Sequence, residues 1–179
     1  MLKKNNLKYI LLLWFIISLL YFLNQFSILD YLQKKLNEQN LSLSNIEITI
    51  FILVIIVFTL IIFFISLFVL SLIMYFIGVI SNNVISKMNC LYIISLTVMI
   101  NMLSTIPLSI MNFINNENIT LLSNNLLFVL FNPFLLLSLF VLYKELKKQN
   151  ISTSLIIIYI LVFYSLQTTS QFIISNSAL

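Results

Sequence analysis

Between Thr49 and Ile80 the chain runs for 32 residues without one charged side chain. As a single helix this run is about 48 Å long at 1.5 Å per residue, against a hydrocarbon core of about 30 Å. It is too long for one upright crossing and too short for two. The physical resolution is one helix, tilted or projecting from the bilayer, that ends in Gly78 and the polar Ser81, Asn82 and Asn83. A chain built around such a segment folds in lipid.

The rest of the sequence agrees. Of 179 residues, 61% are hydrophobic and 8% charged, where a soluble domain carries about 25% charged residues. The charged set is nine lysines and five acids, with no His and no Arg. One Cys (Cys90) excludes a disulfide within the chain. Zinc and haem sites need several His or Cys ligands, a nucleophile–His pair needs a His, and phosphate-cradling loops need more than the single Gly78. No cofactor, metal or catalytic group is therefore expected. The net charge of +4 reads as a topology signal, with a small share steering the inner face to anionic lipids, and no nucleic-acid partner is expected.

Five spans follow from the apolar runs, at about residues 9–26, 49–80, 90–114, 125–143 and 151–174. The expected fold class is all-α, a polytopic transmembrane helix bundle, with residues 1–179 as one integral membrane domain. Lys3, Lys4 and Lys8 precede the first span, which suits a signal peptide or an uncleaved anchor. Cleavage needs small residues, and the only alanine is Ala178, so an anchor is expected. The outer loop, 27–48, gathers Asp30, Lys34, Lys35, Glu38 and Glu47. Within it Ile28, Leu29, Tyr31, Leu32 and Leu36 suit either a short amphipathic helix on the membrane surface or a solvated loop.

Lysines in short loops prefer the cytoplasm. With five spans, Lys3, Lys4, Lys8, Lys87, Lys144, Lys147 and Lys148 share one side, and Lys34 and Lys35 stand on the other with Asp30, Glu38, Glu47 and Glu117. The N-terminus is accordingly expected inside and the C-terminus outside. Lys144, Lys147 and Lys148 form a basic cytoplasmic loop.

No span has an ionisable residue near its centre, which argues against a proton relay or charge-coupled transport. What remains is a polar stripe on the third span, Thr97, Asn101, Thr105 and Ser109 at steps of four, then Asn112. Such a stripe serves helix packing or, less commonly, a substrate or partner surface. Pro107 removes a backbone donor and displaces the Leu103 carbonyl, so a kink is expected beside Ser104 and Thr105, whose hydroxyls can occupy the freed group. Asn132 and Pro133 suit an N-cap followed by Pro at the first helical position, or a kink in a longer helix. The triplets Asn40-Leu41-Ser42 and Asn118-Ile119-Thr120 have the form of glycosylation acceptors. In a sequence rich in Asn, Ile and Lys and nearly lacking Arg, Ala and Gly they are expected by chance, and the bias suits a low-GC bacterium. Cys90 suits a small apolar filler, with palmitoylation as the alternative.

From Leu70 to Leu166 the pattern resembles the Yip1 family of five-span membrane proteins with a cytoplasmic N-terminus. Three places carry the resemblance: Tyr75-Phe76-Ile77-Gly78 leading into a short polar loop, the Pro107 region closing the third span, and Asn132-Pro133-Phe134 opening a helix that runs into Lys144-Glu145-Leu146-Lys147-Lys148. Asn132 stands where relatives often carry Asp, and Asn82 and Asn83 replace loop glycines. The resemblance implies a non-enzymatic helper, of the kind that accompanies ABC exporters protecting bacteria from antimicrobial peptides. Its partners would be the lipid bilayer and an ABC permease or ATPase, since the chain has no nucleotide-binding loop of its own. The alternative is a membrane subunit that itself lines a permeation path.

Overall fold

In the computed structural model, residues 3–27, 29, 45–115 and 130–177 are described. The surface-helix stretch of the outer loop, both Asn-containing triplets, Glu117 and the first residues of the 125–143 segment lie outside them. The described chain is all helical: α1 (Lys3–Ser27), α2 (Asn45–Ile80), α3 (Lys87–Met102), α4 (Thr105–Asn115), α5 (Pro133–Lys147) and α6 (Thr153–Ser177). With α3 and α4 taken as one broken rod, there are five rods. Four segments among the described residues are long and apolar enough to cross a bilayer: Leu7–Ser27, Ile46–Ile80, Lys87–Ile114 and Thr153–Ser170. α5 has 15 residues, about 22 Å, and falls short of a bilayer by itself. The finding is therefore four candidate spans where sequence patterning gives five.

α3 is the hub. It packs against α1, α2 and α5, while α4 packs against α1, and α6 lies along α5. Each outer helix offers one stripe: Ile10, Leu13, Ile17 and Leu20 on α1, Leu135, Ser138, Leu142 and Leu146 on α5, and Leu155, Ile156, Tyr159 and Phe163 on α6. These steps of three and four are the helical repeat. α3 instead buries residues on several sides, Cys90, Ile93, Ile94, Ser95, Thr97, Val98 and Asn101.

α2 continues unbroken for 36 residues, about 54 Å. It runs antiparallel to α1: Ile48, Ile52 and Ile56 meet Tyr21, Phe22 and Leu29, and further on Phe64 packs against Trp14 with ring centroids 5.0 Å apart and planes tilted by 36°. Its last third, through Leu67, Ser71 and Met74, joins the main core.

The α2–α3 turn shows why a glycine and two asparagines stand there. Asn82 has φ +55°, the left-handed conformation that Asn tolerates better than other side chains do. The Asn83 N–H donates to the Gly78 carbonyl at 2.9 Å and the Asn82 N–H to the Val79 carbonyl at 3.2 Å, a Schellman closure with Asn in the usual glycine place. The turn folds so tightly onto α2 that a Cβ on Gly78 would lie 2.8 Å from the Asn83 carbonyl oxygen and 3.0 Å from the Tyr159 hydroxyl. The α5–α6 turn uses Asn150 at φ +56° in the same way.

Candidate functional site

Two polar regions stand out in an apolar molecule: the stripe along α3 and α4, and the lysine-rich end of the bundle. On the stripe, Thr97 is fully buried and its hydroxyl donates to the Ile93 carbonyl of its own helix at 2.7 Å. Thr105 likewise donates to the Met102 carbonyl at 2.8 Å. Two members reach other helices: Asn101 Nδ2 donates to Gln167 Oε1 on α6 at 3.1 Å, and Asn112 Nδ2 approaches Ser27 Oγ on α1 at 3.5 Å. Ser109 is fully buried, and its Oγ, like Asn101 Oδ1, has no hydrogen-bond partner among the described residues. The five residues do different jobs: Thr97 bonds within its own helix, Thr105 reaches back across the helix break to the end of α3, Asn101 and Asn112 bond to other helices, and Ser109 has no partner among the described residues.

The break between α3 and α4 follows from Pro107, though its hydrogen bonds differ from the simple expectation. Pro107 is the third residue of α4, where the missing N–H is among those an α-helix leaves unpaired anyway. The Leu103 carbonyl is taken by the Ile106 N–H at 3.2 Å. The Ser104 and Thr105 hydroxyls instead close the last carbonyls of α3, on Asn101 and Met102. At the start of α5, Asn132 Oδ1 accepts from the Phe134 N–H at 3.0 Å and Pro133 is the first helical residue. This is an N-cap, with no helix continuing back through Asn132.

Sequence patterning passes over several cross-helix contacts. The Trp14 indole N–H donates to Ser95 Oγ at 3.0 Å, and the Tyr159 hydroxyl donates to the Met74 carbonyl at 2.9 Å. The Tyr164 hydroxyl reaches the Leu130 carbonyl at 3.1 Å, just before the α5 cap. Ser95 lies off the stripe of fours, and aromatic hydroxyls leave no period to read. The one signal was Gln167, the first amide in the polar stretch 165–170 of the last span. Cys90 is fully buried, which suits the filler reading and leaves no surface for lipidation.

At the other region, chain segments distant in sequence meet. Asn89 Nδ2 on α3 donates to Gln149 Oε1 in the α5–α6 turn at 3.1 Å. Tyr92 lies within electrostatic range of Glu145, Lys148 and Tyr9, so the start of α1 stands at this same end. Lys8, Lys87, Lys144, Lys147 and Lys148 thus belong to one end of the bundle, while Ser27 and Asn112 mark the other. Lys87 Nζ sits 5.1 Å from the Tyr75 ring centroid and Lys147 Nζ 5.7 Å from that of Tyr143. Lys148 is paired with Glu145, whose hydrogen bond holds the ammonium above the usual lysine pKa. Between the two turns opens a groove of about 320 Å³ lined by Asn83, Ser86, Asn89 and Gln149 together with Val84, Ile85 and Ile151.

These features define an all-helical protein of membrane type, with apolar helices long enough to span and polar groups spent mainly on helix contacts. No protein-family model, curated protein or solved structure matches the chain.

Proposed function

We propose that this chain is a non-enzymatic helper of the bacterial cell membrane, working through helix contacts with a partner complex of the ABC exporter type in defence against membrane-active peptides. The observation that carries the reading is the division of α2, whose inner stripe packs while Phe51, Val54, Phe58, Ile61, Ile65 and Phe68 stay more than half exposed along the other side. Such a face offers another membrane protein a long, uncharged helix. The resemblance to Yip1-type proteins points the same way. A partner would supply the nucleotide chemistry for which this chain has no residues. Affinity purification of the full chain in mild detergent is expected to bring down an ABC permease or ATPase, and deletion is expected to raise sensitivity to a pore-forming peptide.

The orientation belongs to the same proposal: N-terminus in the cytoplasm, C-terminus outside. It is supported by the gathering of Lys8, Lys87, Lys144, Lys147 and Lys148 at one end, which turns a count along the sequence into a charged face. Single cysteines at Asn5, Gln39, Asn118 and Ser177 in a Cys90→Ser background, probed on intact cells with an impermeant thiol reagent, test it. Labelling at the last three with protection at Asn5 is expected, and the reverse pattern overturns the orientation.

A second reading, a permeation path lined by this chain itself, is favoured by one feature. Asn101 Oδ1 and Ser109 Oγ, on either side of the helix break, are buried with no hydrogen-bond partner among the described residues. Solute movement by the purified protein alone in liposomes would put this reading in place of the helper.

A further inference from the structure

We infer that Tyr9, Tyr75, Tyr92 and Tyr143 form an aromatic belt that seats the lysine end of the bundle at the headgroup–acyl boundary of one lipid leaflet, so that the α5 cap and the Asn101–Gln167 bond lie near the bilayer midplane. This goes beyond the helper reading, and it holds whichever side of the membrane the lysines face. The belt residues stand on α1, α2, α3 and α5, and the fold gathers them at one end. Tyr92 is within electrostatic range of Tyr9, Glu145 and Lys148, Lys147 Nζ lies over the Tyr143 ring, and Lys87 Nζ lies over that of Tyr75. The hydroxyls divide the tyrosines into two sets. Tyr159 and Tyr164 donate to the Met74 and Leu130 carbonyls, and Tyr21 pairs with Thr59, so these are satisfied inside the bundle. Tyr75, Tyr92 and Tyr143 rest their rings against the core and Tyr9 is half exposed, while no hydroxyl of the belt bonds to another described residue. A hydroxyl without a partner is costly in hydrocarbon, whereas at the boundary the ring lies among acyl chains and the hydroxyl reaches water or a headgroup. The lysine ammonium groups beside the rings need the same wet layer.

Lipid is the occupant that the helix sides below the belt select. On α1, Leu11, Leu12 and Phe15 are exposed, and on α5, Leu136, Leu137 and Phe140. A wet, lysine-rich end followed directly by bare apolar flanks matches the passage from headgroups to acyl chains. The belt is then a depth gauge. From Tyr143 the rise along α5 to the Asn132 cap is about 16 Å, and from Tyr92 the rise along α3 to Asn101 is about 14 Å, each near half of a hydrocarbon core of about 30 Å. α5 is accordingly a half-span that opens inside the bilayer. Irregular backbone at that depth has to be covered by protein or water, and here the buried Asn132 side chain and the Tyr164 hydroxyl on the Leu130 carbonyl supply protein contacts.

The test reads depth on the full chain in phosphatidylcholine vesicles. In a Trp14→Phe background, one new tryptophan is placed by Tyr75→Trp, Tyr143→Trp or Phe131→Trp, the last beside the α5 cap at a side chain 66% exposed. Fluorescence quenching is compared between phosphatidylcholines brominated near the headgroup end and near the tail end of the acyl chains. The Tyr75→Trp and Tyr143→Trp variants are expected to be quenched more by the shallow bromines, and Phe131→Trp more by the deep ones. Nitroxide-labelled single cysteines at the same positions in a Cys90→Ser background keep Trp14 and guard against misfolding of the tryptophan set. Their access to a water-soluble nickel complex relative to oxygen is expected to be high at positions 75 and 143 and low at 131. Deep quenching at 75 and 143, or shallow quenching at 131, would overturn the assignment. So would the absence of quenching at 75 and 143 by either lipid, the result if a partner protein or bulk water covers the belt.

Discussion

α2 and α3 are neighbours joined by one short turn, and they use hydrophobicity in opposite ways. α2 is the longer and the more apolar, yet only 17% of its most apolar stretch is buried, against 44% for the α3–α4 rod. α3 carries Ser95, Thr97 and Asn101 in the buried set and sits at the hub. In water the more apolar helix would be the core. In lipid the tails are as apolar as leucine, so burial is not driven by hydropathy, and helices associate through close packing and polar contacts. Within this chain, the most apolar helix is the one that packs least on its neighbours, and interspersed small and polar residues mark the one at the hub.

Truncating an isoleucine on each helix separates the two most strongly. Ile93→Ala on α3, where the side chain is 1% exposed, is expected to lose about 2 to 5 kcal/mol, because the cavity term persists in a packed bundle. Ile65→Ala on α2, 56% exposed, is expected to change stability by about 0.5 kcal/mol or less. Thermal aggregation in detergent reads both, and equal losses would mean that α2 is packed in the working protein.

Next in size is Gly78→Ala, placed where α2 meets the turn leading to α3. The added Cβ meets a backbone oxygen at 2.8 Å, so the turn must shift, at a cost of about 1 to 3 kcal/mol. A neutral result would show that the Asn82–Asn83 turn is looser than its hydrogen bonds indicate.

Asn101→Leu probes a polar contact of the hub helix. It removes the bond to Gln167, leaving a polar side chain on α6 to find another partner, and is expected to cost about 0.6 kcal/mol, within a span of about 0.5 to 2. The loss is kept small because the unpartnered Asn101 Oδ1 disappears with it. Unchanged stability with complete loss of biological activity would move this residue from packing to a functional surface.

The smallest effect concerns the exposed Glu145–Lys148 pair. The folded-state pKa of Lys148 is raised by its hydrogen bond to Glu145, so whatever stability the pair contributes is present below the ordinary lysine pKa and lost as pH rises through the raised value. A solvated pair of this kind contributes little. No change in aggregation midpoint is expected between neutral pH and the ordinary lysine pKa, and a drop in that window would reveal coupling that the exposed geometry does not provide.

Much of the architecture was legible in the residues themselves, and the reason is solvent. An uncharged run such as Thr49–Ile80 has to satisfy its backbone internally, so a helix is the only single-segment answer, and α2 is one helix from Asn45 to Ile80. Pro107 and the Asn132-Pro133 pair mark helix boundaries through local chemistry, a missing donor and a side-chain cap, which need no distant partner. Partner choice was not legible. The stripe of fours put Thr97, Asn101, Thr105, Ser109 and Asn112 on one line, but only the fold decided that Asn101 meets Gln167, that Thr97 turns back on its own helix, that Thr105 closes the end of α3, and that Ser109 has no partner among the described residues. Likewise Gly78 was legible as a mark of the end of the long run, but only the fold brought the Asn83 carbonyl of the next turn and the Tyr159 hydroxyl of α6 onto its missing Cβ. Periodicity along one helix fixes which side a residue faces, whereas what stands on that side depends on how the rods pack, through contacts separated by 60 residues and more along the chain.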